Sequence, residues 1–217
     1  FTGDCSDMLS KASELGLASE ICTPHRGLAG AYALGDLPSP DAIVWSKMVC
    51  DNTAKSGELI MEICNCPGFF IDRPFKDSEY EKNYLVGELQ DMVTFLEEKS
   101  GRKVDWDKLS EIVTNMDRQI QLTREVNELR KVVPTPFHSQ GFLELVSSDY
   151  LFPGQPEAIE YLEALKQELA EMVKEGKGAV PNERFRLMTL FLPPMHLMGF
   201  LEKVAQEYGA VSVVEPF

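Results

Sequence analysis

The stretch Ala42-Ile43-Val44-Trp45, with Cys50-Asp51-Asn52-Thr53 after it and Phe69-Phe70-Ile71-Asp72 further on, decides the fold of this chain. Residues 42–45 are continuous, apolar and rich in β-branched and aromatic types, the pattern of a short buried strand. Asp51, Asn52 and Thr53 are N-cap candidates for a helix carrying Leu59, Ile60 and Ile63. Pro67-Gly68 breaks that helix, and residues 69–72 read as a second strand. Strand, helix and strand within about thirty residues make a βαβ unit, whose parallel strands imply an α/β sheet.

Upstream of this unit, Met8, Leu9, Ala12 and Leu15 recur at helical spacing until Gly16. Thr23-Pro24 reads as an N-cap with proline at the first helical position, opening a helix through Leu28 and Tyr32, and residues 35–40 form a loop. Downstream, Tyr80, Tyr84, Leu85, Leu89, Met92, Val93 and Leu96 form one apolar helical stripe ending at Ser100-Gly101. Asp105 caps the next helix, with Leu109, Ile112, Val113, Met116 and Ile120 expected inward, and Pro134 and Pro136 lie past its end near Arg130. A short helix is expected around 142–146. Pro156 opens another, with Ile159, Leu162, Leu165, Leu169, Met172 and Val173 as its expected buried face, ending at Gly176-Lys177-Gly178.

A second βαβ then begins: a strand over 185–192, a helix over 197–208 with Gly209 at its C′ position, and a strand over 211–214. The pattern thus predicts an α/β protein, a Rossmann-like parallel sheet domain with a helical insertion and the start of a second α/β domain. The expected domains are 1–79, α/β; 80–182, helical; and 183–217, the opening of the second α/β domain. Two parallel strands and one helix cannot cover both faces of a sheet, so the rest of that domain is expected beyond Phe217. The alternative is a tail that completes the first sheet. A start at Phe1 rather than Met carries the expectation that the first residues of the natural protein are missing.

Among 217 residues, 35 acidic side chains against 21 basic ones give a net charge of −14, which argues against nucleic acid as a partner. Apolar residues at 44% argue against general disorder. The longest apolar runs, such as 190–192, are far too short to span a bilayer, and no secretory signal is visible. Five cysteines cannot all pair, so a reducing cytoplasm is the expected location.

Cys50 falls after the first strand and before the helix that follows it, the carboxyl end where open α/β sheets bind ligands. The field and free N–H groups of a helix start favour a thiolate there. Cys22 repeats the arrangement before Thr23-Pro24. Their separation of 50 − 22 = 28 residues is not diagnostic, and metal binding and buried packing both remain open on spacing alone. Cys64-Asn65-Cys66 lacks the CxxC spacing and reads as a packed, inert pair, while Cys5 receives no role. His25, His138 and His196 form no zincin-like pair, and G-x-S-x-G, P-loop and G-x-G-x-x-G motifs are absent. Pro193-Pro194-Met195-His196 reads as a structural turn.

The segments 20–27 (EICTPHRG), 37–44 (LPSPDAIV) and Cys50-Asp51 occur in an order that resembles the 2-hydroxyacyl-CoA dehydratase/benzoyl-CoA reductase family, of the 2-hydroxyglutaryl-CoA dehydratase D-component type. Phe70-Ile71-Asp72-Arg73-Pro74, the helix end at 95–101, the P-x-P at 134–136 and the stretch 186–215 extend the resemblance over nearly the whole chain. It implies a subunit of an oxygen-sensitive (R)-2-hydroxyacyl-CoA dehydratase that pairs with a homologous second subunit. It also implies a [4Fe–4S] cluster with Cys22 and Cys50 as its first and second ligands and a third cysteine beyond residue 217. A fragment of this length would then bind the cluster poorly or not at all.

The chemistry implied is loss of water from an acyl-CoA substrate through a ketyl radical. An ATP-hydrolysing iron–sulfur activator supplies one electron for it. Two alternatives accompany this reading: a benzoyl-CoA-type or double-cubane low-potential reductase subunit, and a cluster-free structural partner. The resemblance names neither the acyl group nor the base that removes the proton.

Overall fold

The computed structural model of the chain describes residues 5–48, 50–190 and 197–215. They form a mixed α/β protein in two compact units, Phe1–Val104 and Asp105–Phe217.

The first unit opens with α1 (Ser6–Glu14) and α2 (Thr23–Leu34), which pack on each other. A Cβ on Gly30 would lie 1.9 Å from the Met8 carbonyl oxygen, so glycine permits this close approach of the two backbones. β1 (Ile43–Ser46), α3 (Asn52–Cys64) and β2 (Gly68–Ile71) follow as the expected parallel βαβ unit, with Ile43 opposite Gly68 and Ser46 opposite Ile71. Successive strand residues point to opposite faces. Trp45 meets Phe70 with ring centroids 5.8 Å apart and lies against Gly57 of α3. Phe69 instead meets Phe95 of α4 (Glu79–Ser100) at 5.6 Å. Helices α3 and α4 therefore cover opposite faces of the strand pair.

The second unit contains α5 (Trp106–Leu129), α6 (Gly141–Leu151), α7 (Pro156–Lys174), β3 (Phe185–Met188), α8 (Met198–Tyr208) and β4 (Ala210–Val214). Asp105 caps α5 as its sequence predicts, its carboxylate accepting from the Lys108 N–H at 2.9 Å. Leu122 and Val126 of α5 and Leu162 and Leu169 of α7 build the core with Phe137 and Leu145. Each contributes about 1.5–3 kcal/mol on full burial. β3 and β4 pair in parallel, as the second βαβ pattern predicts, and Gly209 closes α8 in the left-handed conformation at φ 65°.

Several local expectations change. Val44 is exposed, so β1 is only partly buried. Cys22 rather than Thr23 occupies the N-cap of α2, and Asp51 caps α3 without a side-chain hydrogen bond. The stripe on α4 is not buried: Tyr80, Leu89 and Leu96 are all exposed. On α5, Leu109, Val113, Met116 and Ile120 face solvent, and the buried residues are Gln119, Leu122 and Val126 further along the helix. Among the described residues β3 ends at Met188. The rest of the expected strand and the Pro193–His196 turn lie largely or wholly outside the described residues. No helix among the described residues is long and apolar enough to cross a membrane.

Candidate functional site

Cys22 and Cys50 both stand at the start of a helix in the first unit. Cys22 is exposed, and its carbonyl accepts the N–H groups of His25 at 3.0 Å and Arg26 at 3.3 Å, the first hydrogen bonds of α2. Cys50 is half-buried between β1 and α3, and its carbonyl accepts the Thr53 N–H at 3.0 Å. Neither cysteine caps its helix through a side-chain hydrogen bond, and neither is in a disulfide.

A side-chain hydrogen bond joins the two helix starts. His25 Nδ1, on the first turn of α2, lies 2.9 Å from Ser56 Oγ, one turn into α3. Ser56 is buried, and its hydroxyl also lies 3.1 Å from the Asn52 carbonyl and 3.4 Å from the Thr53 carbonyl. A hydroxyl has one proton. Given to a main-chain carbonyl, that proton leaves Oγ to accept from Nδ1–H, and Nε2 becomes the acceptor nitrogen of the neutral ring. Hydrogen bonds thus link the Cys22 carbonyl to the His25 N–H, the His25 ring to Ser56, and Ser56 back to the first turn of α3, whose Thr53 N–H the Cys50 carbonyl accepts.

Charged groups gather at the same carboxyl edge of the strands. Lys47, just past β1, lies 2.8 Å from Asp72, just past β2. The Lys47 ammonium beside Asp72, assisted by the Tyr84 hydroxyl, holds its carboxyl below the usual range. Lys47 also stands 5.1 Å over the exposed Phe75 ring, and Lys47, Met48, Arg73, Pro74 and Phe75 line a small cavity of about 100 Å³. Sequence reasoning gave Asp72-Arg73 no role at the site, although the strand-end rule that singles out Cys50 points to them equally.

Elsewhere, Cys64 and Cys66 flank Asn65, which ends α3 at φ 47°. Both are half-buried, and burial and the neighbouring Cys66 push the Cys64 thiol up. His138 of the second unit lies 3.0 Å from Glu144, which also accepts the Tyr161 hydroxyl. A separate cavity there, about 540 Å³, is lined by Asn127, Arg130, Phe142, Leu145, Asp149 and Val214, among others.

Thiolate sulfurs are soft donors suited to iron–sulfur and other soft metal centres. Cys22 and Cys50 fit such a centre as two donors. Among the described residues no group of three or more cysteine, histidine, aspartate or glutamate side chains could hold a metal ion.

Fold and site together define an α/β protein with Cys50 at the carboxyl end of a parallel strand pair and Cys22 at the start of the helix that packs on α3. The family described as 2-hydroxyglutaryl-CoA dehydratase, D-component, matches residues 2–217, and the chain belongs to it. A benzoyl-CoA reductase subunit of Thauera aromatica is 25% identical over 97% of this chain and 53% of its own length. The alpha subunit of (R)-2-hydroxyglutaryl-CoA dehydratase from Acidaminococcus fermentans is 28% identical over 75% of the chain and 35% of its own length. The (R)-phenyllactyl-CoA dehydratase alpha subunit of Clostridium sporogenes is 23% identical over 83% of the chain and 47% of its own length. The chain spans about half the length of these curated relatives, or less.

Proposed function

We propose that this chain is part of a subunit of an (R)-2-hydroxyacyl-CoA dehydratase, with Cys22 and Cys50 as two thiolate ligands of a [4Fe–4S] cluster. The observation that carries the reading is the placement of the two thiols at the starts of α2 and α3, helices joined near those starts by the His25–Ser56 hydrogen bond. When bound, the cluster supplies one-electron chemistry at low potential for an acyl-CoA thioester. The two cysteines hold it, and the start of each helix presents main-chain N–H groups that temper negative charge. Residues 1–79 are then the cluster-binding domain, 80–182 a helical region, and 183–217 the opening of a second α/β domain. The third cysteine lies beyond residue 217. The partners are a homologous second subunit, which the subunit names of the relatives support, and an ATP-hydrolysing iron–sulfur activator.

A reductase reading has its own support, because the relative aligned over 97% of this chain belongs to a benzoyl-CoA reductase. One preparation separates the readings. The full-length protein is purified anaerobically with its partner, analysed for iron and sulfide, and assayed with activator and ATP on (R)-2-hydroxyacyl-CoA and aromatic acyl-CoA thioesters. Iron-dependent loss of water from the 2-hydroxyacyl substrate is the expected result. Reduction of an aromatic thioester without dehydration would favour the reductase, and an iron-free complex would leave the structural-partner reading. Cys50→Ser should lose iron and activity together, and normal iron in that variant would overturn the ligand assignment.

A further inference from the structure

We propose that His25 and Ser56 are positioning residues for the thiol pair, their hydrogen bond fixing the separation of Cys22 and Cys50. The proposal rests on the reading of those cysteines as joint ligands. Each cysteine carbonyl is bound within the first turn of its helix; His25 lies in that turn of α2, and Ser56 stands one turn into α3 with its hydroxyl reaching back to the Asn52 carbonyl. Helices α2 and α3 pack on each other, and the directional bond at 2.9 Å fixes their relative register at this point, because the buried Ser56 cannot turn to water instead. The carbonyl of Asn52, at 3.1 Å, orients the hydroxyl in turn.

The same atoms could serve helix packing alone, so the test reads thiol separation directly. The full-length chain, reduced and metal-free, is treated anaerobically with dibromobimane, which bridges thiols only a few ångströms apart, and the bridged peptides are identified by mass spectrometry. A Cys22–Cys50 bridge is expected in the wild type. It is also expected in His25→Asn, whose amide reaches the position of Nδ1. His25→Ala and Ser56→Ala should lower the bridging yield about five-fold, the effect of losing one hydrogen bond.

His25→Gln, which keeps bulk but carries its amide nearer the Nε2 position, should behave like His25→Ala and covers the case in which the alanine variants do not fold. Circular dichroism establishes folding for each variant. Absence of the bridge in the wild type, or equal yield in folded His25→Ala, Ser56→Ala or His25→Gln, would overturn the proposal. An iron-free complex with an intact, His25-dependent bridge would remove the cluster reading and support the positioning. Normal iron with a bridge indifferent to His25 and Ser56 would do the reverse.

Discussion

Arg130 and Glu215 form a buried ion pair: Arg130 Nη2 lies 2.8 Å from Oε1 and 2.7 Å from Oε2 of Glu215, with the side chains 4% and 3% exposed. Nη1 donates to Asn127 at 2.9 Å, and the Ser212 hydroxyl donates to Glu215 at 2.7 Å, so the end of β4 is tied to the end of α5. Removing one partner strands a buried charge. Glu215→Gln and Arg130→Met should each cost about 3–5 kcal/mol in urea unfolding, while Arg130→Met with Glu215→Leu should recover much of the loss.

Gln119 is buried on α5 and serves two groups of the α6 region. Its amide donates to the Ser148 carbonyl at 2.7 Å and accepts the Gly154 N–H at 2.8 Å. Gln119→Leu leaves the Gly154 N–H without that partner, while the Ser148 carbonyl keeps the Phe152 N–H, and should destabilise the second unit by about 1–3 kcal/mol. Hydrogen exchange at Gly154 should rise in parallel.

Two glycines in helices predict opposite signs. A Cβ on Gly57 would lie 2.4 Å from the Trp45 ring, so Gly57→Ala should push α3 from β1 and cost about 1–3 kcal/mol, with a change in Trp45 fluorescence. Gly87, within α4, has nothing within 4 Å of such a Cβ. Gly87→Ala should stabilise by about 0.5–1 kcal/mol, because alanine restricts the unfolded chain and favours the helix. Thermal unfolding of both variants checks the contrast.

Burial raises the Asp149 carboxyl above its ordinary value, and hydrogen bonds from Thr123 and Gln119 only partly oppose this. The folded state then keeps the proton to higher pH than the unfolded one. The stability that Asp149 contributes is complete below the ordinary aspartate range and is lost as pH rises through the folded value. Asp149→Asn should therefore gain stability relative to the wild type between about pH 4 and about pH 8, as read from urea midpoints at each. A constant difference would contradict the assignment.

The sequence by itself determined what depends on neighbours along the chain. Helix α3 ends at Asn65, ahead of the expected break at Pro67-Gly68, but the Asp105 cap and the Gly209 helix end are local backbone chemistry, and each stands where the pattern places it. So does the parallel βαβ, because its two short apolar runs and intervening helix leave a right-handed crossover as the compact solution. The placement of Cys22 and Cys50 before helix starts was legible for the same reason.

Tertiary structure decided what depends on a partner. The stripes on α4 and on the first half of α5 have helical period, yet Tyr80, Leu89 and Leu96 on the one and Leu109, Val113, Met116 and Ile120 on the other are exposed, because periodicity marks a face without supplying the partner that would bury it. Only the packing of α2 on α3 brings His25 to Ser56, thirty-one residues away, and so ties together the two helices that follow the cysteines. A hydrogen bond needs its donor and acceptor within about 3 Å, and no spacing in a linear sequence encodes that distance.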